Sequence, residues 1–292
     1  MNKKIPSSEL IINDDGSIFH LHMKPEWLAN KVILVGDPGR VTLVASHFDS
    51  CESETKNREF KTITGYYKKK RITVVSTGIG CDNIDIVMNE LDALANIDFH
   101  AREEKTELRQ LELVRIGTCG GLQPNTPIGT FICSVKSIGL DGLLNFYLGR
   151  NSVCDLSFER AFVNHMGWTG NMCAPAPYVI DADEELSNRI ARTDMVRGVT
   201  ITAGGFFGPQ GRKLRLPLAD PFQNEKIAKF EYCGHRITNF EMESSALAGL
   251  AGLMGHKATT VCMVIANRLA KEANAGYKNS IDSLIQTVLE RI

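Results

Sequence analysis

A short apolar run, Lys31-Val32-Ile33-Leu34-Val35, enters the turn Gly36-Asp37-Pro38-Gly39-Arg40 and leaves it as Val41-Thr42-Leu43-Val44-Ala45. Strand, glycine turn, helix is the unit that most restricts this chain, because its repetition leads to a layered α/β fold. Further strands are expected at residues 58–67 and 71–76, joined by the basic turn Lys68-Lys69-Lys70. Between 82 and 97 the apolar residues Ile84, Val87, Met88, Leu91, Leu94 and Ala95 recur at helical spacing. Strands follow around Arg115 and near 130–135, 199–202, 238–240 and 258–265, with helices near 184–196, 223–232, 243–254 and from about 280. The charged connector 100–107 reads as a solvated loop or helix face. With 292 residues and no internal repeat, the alternation favours one α/β unit over two domains.

Composition excludes several classes of function. Lys plus Arg number 33 and Asp plus Glu 34, so no global basic field points to nucleic acid. No apolar run is long enough to span a bilayer, and the N-terminus, Met1-Asn2-Lys3-Lys4-Ile5-Pro6, lacks the apolar core of a signal peptide. The eight cysteines are scattered without a Cys-x-x-Cys pair, as in reduced cytoplasmic thiols, and a cytoplasmic protein is expected.

Four segments carry chemistry. Gly205-Phe206-Phe207-Gly208-Pro209-Gln210-Gly211-Arg212 sets an amide and a guanidinium two residues apart behind two aromatics. A Gln amide and an Arg match the carbonyl and N–H edge of a small heterocycle; a surface loop with apolar anchors is the plainer reading. Glu241 and Glu243 flank Met242 where a strand becomes a helix. At i and i+2 on extended backbone they share a side and could accept from vicinal sugar hydroxyls, or else favour the positive end of the helix. Gly36 to Arg40 suits an anion, through backbone N–H groups and a forked charge. Leu113-Val114-Arg115-Ile116-Gly117-Thr118-Cys119-Gly120-Gly121 repeats that design, with Arg115 inside an apolar strand and Thr118 in the glycine turn expected after it. For Arg115 both a structural ion pair and a bound anion remain open.

These segments, with Ser76-Thr77-Gly78-Ile79-Gly80, occur in the order seen in the nucleoside phosphorylase-I family, and the resemblance runs from about residue 19 to 268. Within the family the pattern is most similar to the uridine-cleaving members. The resemblance implies a mixed, partly barrel-like central sheet flanked by helices, with residues 1–18 as an extension and 19–292 as the phosphorylase domain. It implies phosphorolysis of uridine to uracil and ribose 1-phosphate, with phosphate as co-substrate and no cofactor. Position by position, phosphate would fall on Gly36, Arg40, Arg58, Arg115 and Thr118, and ribose on His20, Glu241, Met242 and Glu243. The base would fall on Phe206, Gln210, Arg212 and Arg268. Arg40, Arg115, Thr118 and Glu243 would carry catalysis.

In the bacterial relatives the counterparts of Arg58 and His20 reach into a neighbouring subunit's pocket, so a homo-oligomer with shared sites is implied. A metal site at His20 and His22, alternating on a strand-like segment, is disfavoured for want of a third ligand, and no metal is expected. The family's structural monovalent cation would lie near Glu59 and Ser76. The run Cys81-Asp82-Asn83-Ile84 departs from the bacterial pattern beside it. Purine-specific members carry an Asp after the last strand, where this chain reads Val264-Ile265-Ala266-Asn267-Arg268-Leu269. A hydrolytic nucleosidase would not need Arg40, Arg58 and Arg115 together, a non-catalytic nucleoside sensor could lose the anion site, and the Gly-x-Gly-x-x-Gly turn of a nicotinamide dehydrogenase is absent.

Overall fold

The computed structural model describes residues 4–168, 176–267, 272–273, 276 and 280–292. Its strands are β1 (Lys31–Val35), β2 (Ser50–Asn57), β3 (Phe60–Tyr67), β4 (Lys70–Ser76), β5 (Ile97–Asp98), β6 (Glu103–Glu104), β7 (Glu112–Gly121), β8 (Phe131–Gly139), β9 (Tyr178–Asp181), β10 (Val196–Thr202), β11 (Glu231–Tyr232), β12 (His235–Glu241), β13 (Lys257–Asn267) and β14 (Glu272–Ala273). Its helices are α1 (Pro38–Ala45), α2 (Cys81–Asn96), α3 (Arg150–Val153), α4 (Leu156–Met166), α5 (Glu184–Ala191), α6 (Gln223–Lys229), α7 (Ser244–Met254) and α8 (Ile281–Arg291).

Among the described residues the central sheet is mixed, and five of its strands close a ring, β7–β12–β10–β8–β13 and back to β7. From β7 an open wing continues through β1, β4, β3 and β2. β7 serves both because it changes partner along its length. Its first half runs parallel to β1, with Arg115 opposite Leu34, whereas Gly120 and Gly121 pair antiparallel with Phe240 and Asn239 of β12. The turn expected at 117–121 is therefore strand. Close approach explains two of its glycines, Gly117 and Gly121, and none of the three has a positive φ. A Cβ on Gly117 would stand 2.2 Å from Arg115 Nη1, and one on Gly121 2.5 Å from the Thr126 carbonyl oxygen.

β1 is buried along both faces, and its alternation divides the core. Val32 and Leu34 pack with Leu91, Leu113 and Leu247 on one side; Ile33 and Val35 pack with Val114, Ile116, Leu284 and Val288 on the other. A third cluster, including Phe158, Phe162, Ile201, Phe230 and Phe240, fills the space beside the closed ring. Among the described residues no helix is long and apolar enough to cross a membrane.

Several sequence expectations shift. The helix expected over 184–196 ends at Ala191, because Val196 is already paired with Ile132 in the sheet. The helix expected over 223–232 ends at Lys229, and Glu231 and Tyr232 fold back on Arg236 and His235. β2, α4 and β9 stand where no element was expected. The basic turn is a two-residue hairpin with φ of 47° at Lys68 and 69° at Lys69, as a type I′ turn requires. The connector at 100–107 is not wholly solvated. Arg102 donates to the carbonyls of Ile5 (2.9 Å), Pro6 (3.2 Å) and Leu10, supplying donors to an irregular segment whose carbonyls lack a ladder. Leu10 and Ile18 of that segment are buried in the first core cluster.

Candidate active site

Ligands of parallel α/β sheets collect beyond the C-terminal ends of strands, and here the loops after β1 and β4 meet. Thr77 N donates to Val35 O at 2.7 Å, and a Cβ on Gly36 would lie 3.4 Å from Gly78 O. Asp37 caps α1 by accepting from Gly39 N at 2.8 Å, with Pro38 at the first helical position. The cap aims α1 so that Arg40, half-buried, reaches β7 and donates from Nη1 to Ile116 O at 3.3 Å. The structure thus brings Gly36 and Arg40 beside the strand that carries Arg115 and Thr118.

Arg115 is buried, and both acids converge on it. Nη1 lies 3.4 Å from Glu241 Oε2, Nη2 bonds Glu243 Oε2, and Nη1 also faces Cys262 Sγ at 3.7 Å. Its Nε–H is buried without a partner among the described residues. The acids differ in what else they do. Glu241 Oε1 accepts from Thr202 Oγ1 and Ser244 Oγ, each at 2.7 Å, and Oε2 from the backbone N–H groups of Glu243 and Ser244, each at 2.9 Å. Its acceptor capacity goes into the start of α7. Glu243 accepts from the backbone N–H of Gly80 at 2.8 Å, besides Arg115. Met242, half-buried between them, accepts through its carbonyl from the Cys81 thiol at 3.3 Å. Behind this wall Tyr178 and Ser245 both donate to Asp141 (2.9 and 3.0 Å).

One guanidinium lies between two buried carboxyl groups, and burial and the three charges act on one another. Burial pushes the Glu243 carboxyl up, Arg115 opposes that, and the like charge of Glu241 adds to it. Burial alone would lower Arg115, but Glu243 and then Glu241 hold it above the ordinary guanidinium range. Burial also raises Cys81 far above a usual thiol, with Asp141, Glu241 and Glu243 adding to the effect, so it is a neutral donor.

Residues 203–222 connect β10 to α6 with a single 3-10 turn at Gly208–Gln210. Loops of this length without regular structure commonly serve function. Gln210 is buried and its Oε1 accepts from Arg212 Nη1, which fixes the amide so that its NH₂ group points away from the guanidinium. Arg212 also donates to Phe206 O at 2.6 Å and stacks 3.7 Å from the Phe206 ring centroid. Phe206 and Phe207 are half exposed, edge to face at 5.2 Å. Gln223 and Asn224 at the head of α6 hold the loop by donating to Pro209 O (2.8 Å) and Gln210 O (3.2 Å).

Among the described residues, neither Arg58 nor His20 bonds Arg115. Arg58, with φ of 52°, is exposed at the tip between β2 and β3; its neighbour Glu59 comes close enough that a Cβ on Gly78 would be 3.2 Å from Glu59 Cγ. His20 sits in a turn, not on a strand, and its ring bonds Glu90 of α2 at 2.7 Å; His22 is left-handed there (φ 49°). At the expected cation position Ser76 Oγ donates to Glu59 O at 2.6 Å and accepts from Lys61 N at 2.7 Å. Arg268 lies outside the described residues. Gly80, Thr202, Ser244 and Glu90 were missed by sequence reasoning. Glu90 alone carried a signal, as the one acid on the mostly apolar buried face of α2.

Comparison with known proteins identifies the family. Residues 30–291 match the family model described as the phosphorylase superfamily. The chain is 30% identical over 283 residues to the uridine phosphorylase of Thermococcus kodakarensis, covering 96% of this chain and 88% of that one. It is 25% identical over 274 residues to the DeoD-type purine nucleoside phosphorylase of Geobacillus stearothermophilus, covering 93% and 97%. A crystal structure of Trypanosoma brucei nucleoside phosphorylase, described as showing uridine phosphorylase activity, superposes with a TM-score of 0.87 at 28% identity, covering 97% of this chain and 98% of the other. By sequence and by fold, this chain belongs to the nucleoside phosphorylase-I family.

Proposed function

We propose that the chain catalyses the reversible phosphorolysis of uridine to uracil and ribose 1-phosphate. The observation that carries this reading is Arg115, whose guanidinium bonds Glu243 while its Nε–H is buried without a partner among the described residues. Arg40 lies along the same strand through the Ile116 carbonyl. An anion held there stands beside an acid able to accept sugar hydroxyls. Breaking an N-glycosidic bond builds positive charge on the ribose and negative charge on the base. Phosphate on Gly36, Arg40, Arg115 and Thr118, with Arg58 of a neighbouring copy, stabilises and then captures that cation. Glu243 orients the ribose hydroxyls, Met242 covers the sugar, and His20 of a neighbouring copy takes the 5′-hydroxyl. Gln210 and Arg212, with Phe206 and Arg268, hold the base carbonyls as they gain charge, which is differential transition-state stabilisation. Glu241, saturated by α7, acts by positioning Arg115 and Glu243.

Incubation with uridine is the direct test. Uracil release is expected to be negligible without phosphate and to saturate as phosphate is added; equal release in phosphate-free buffer makes the protein a nucleosidase. A purine phosphorylase is the second reading. Against it, β13 ends in Asn267, whose amide is spent on the carbonyls of Gln123 (3.3 Å) and Thr126 (2.9 Å). Uridine is expected to exceed inosine in kcat/KM by about 100-fold or more, because mismatched buried polar groups are penalised strongly. Comparable turnover of the two removes the uridine assignment.

The two acids separate by stability. Glu243→Gln should lower kcat/KM for uridine by about 100-fold and, with its amide oxygen on Arg115 and its NH₂ facing the single N–H of Gly80, should cost less stability than Glu241→Gln. Glu241→Gln places an NH₂ group among donors and is expected to cost about 1–3 kcal/mol of stability, with activity falling as a consequence. A Glu241→Gln protein that melts like the parent yet loses ribose recognition would show that Glu241 touches the sugar itself.

A further inference from the structure

His20 is held in a turn in which Ile18 N donates to Met23 O at 2.9 Å and His22 N to Ile18 O at 3.0 Å. The turn is clamped from two sides. From β2, Asn57 Nδ2 donates to His20 O (2.9 Å) and Thr55 Oγ1 to Leu21 O (3.0 Å). From α2, the buried carboxylate of Glu90 accepts His20 N (2.9 and 3.1 Å) and Leu21 N (2.8 Å), and also bonds His20 Nδ1 at 2.7 Å. A lone acid on the buried face of a helix is costly, and here its acceptors are matched to three donors of one turn.

A carboxylate can only accept, so the hydrogen of the His20–Glu90 bond sits on Nδ1. In the neutral ring Nε2 is then an acceptor. It has no partner among the described residues, and the ring, 27% exposed, is braced by Phe19 and Phe60 at centroid distances of 4.8 and 6.2 Å. We propose that Glu90 is a positioning and specificity-determining residue, which presents His20 Nε2 as an acceptor and so selects nucleosides bearing a hydroxyl donor at the 5′ position. This rests on the nucleoside phosphorylase reading above. A 5′-phosphate, bringing acceptors and negative charge toward a lone pair backed by a carboxylate, is disfavoured by the same arrangement.

Glu90→Gln is the diagnostic change. The backbone N–H groups of His20 and Leu21 claim the amide oxygen, turning the NH₂ group toward Nδ1 and driving the hydrogen to Nε2. Long-range ¹H–¹⁵N correlation on histidine-labelled protein should find His20 as the Nδ1–H tautomer in the parent and as Nε2–H in Glu90→Gln. In parallel, kcat/KM for uridine should fall about tenfold or more in the variant, while 5′-deoxyuridine, which lacks the donor, should change by no more than about twofold. Equal losses on both substrates, or an Nε2–H tautomer in the parent, overturn the inference. The parent's tautomer decides the matter even if the variant does not fold. Failure of the parent to phosphorolyse uridine overturns the functional reading instead, and with it the role given to the 5′-hydroxyl.

Discussion

Arg115→Ala is expected to lower kcat/KM for phosphorolysis by about three orders of magnitude and to weaken the fold at the same time. The catalytic loss follows from one charge. At an effective dielectric near 20, a guanidinium about 4 Å from a unit charge on phosphate contributes up to about 4 kcal/mol before desolvation, roughly a thousandfold in rate. The stability loss follows from what stays behind, since Glu241 and Glu243 are both buried and would face each other without a cation. Breaking a buried pair in this way costs about 3–5 kcal/mol. Arg115→Lys separates the effects, because it keeps the charge but not the fork that reaches Glu241, Glu243 and Cys262 together. It should melt closer to the parent than Arg115→Ala and still show a raised KM for phosphate. Steady-state kinetics at varied phosphate, with thermal melts, provide the readout. Activity of Arg115→Ala within about tenfold of the parent would leave Arg115 a structural ion pair and move the anion elsewhere.

How far the sequence alone reached depends on how local the cause was. The spacing of Ile84, Val87, Leu91 and Leu94 announces α2, which stands where expected, whereas α1 takes in Pro38 to Arg40 of the expected turn because Asp37 caps it there. β7 was misjudged beyond Ile116, because a run of glycines reads as a turn when their purpose, room for the Arg115 guanidinium and for the Thr126 backbone, belongs to tertiary packing. β2 has an exposed, polar sequence, and what makes it a strand is β3 beside it. At the site, residue types were readable and divisions of labour were not. Glu241 and Glu243 look equivalent as an acid pair. They differ because Thr202 and Ser244 close on one of them and Gly80 on the other, contacts that bring β10 and the loop before α2 to the head of α7. Arg102, inside a run of charges, looked solvated until the N-terminal carbonyls arrived to accept from it.

On the proposed reading, a phosphate beside Arg115 calls for Arg58 as well. With Arg115 shared between two acids, a phosphate dianion requires further cations, and Arg40 alone does not balance it. Arg58, exposed at a hairpin tip, suits a neighbouring copy's pocket. Arg58→Ala and Glu243→Gln chains should then each be nearly inactive as separate proteins and recover activity when co-refolded. In a two-fold dimer with random exchange, about half the molecules are hybrids, and one of the two sites in each hybrid has both native residues, so about a quarter of all sites should regain activity. The gain is from near zero, which makes it large against background. Glu243→Gln suits the experiment better than an alanine, because the amide oxygen still accepts from Arg115 and keeps the buried guanidinium paired. Native mass spectrometry confirms hybrid formation independently of catalysis. Hybrids that form and stay as inactive as the separate variants mean that Arg58 serves its own chain's pocket, and the phosphate then draws its second and third cations from a single copy.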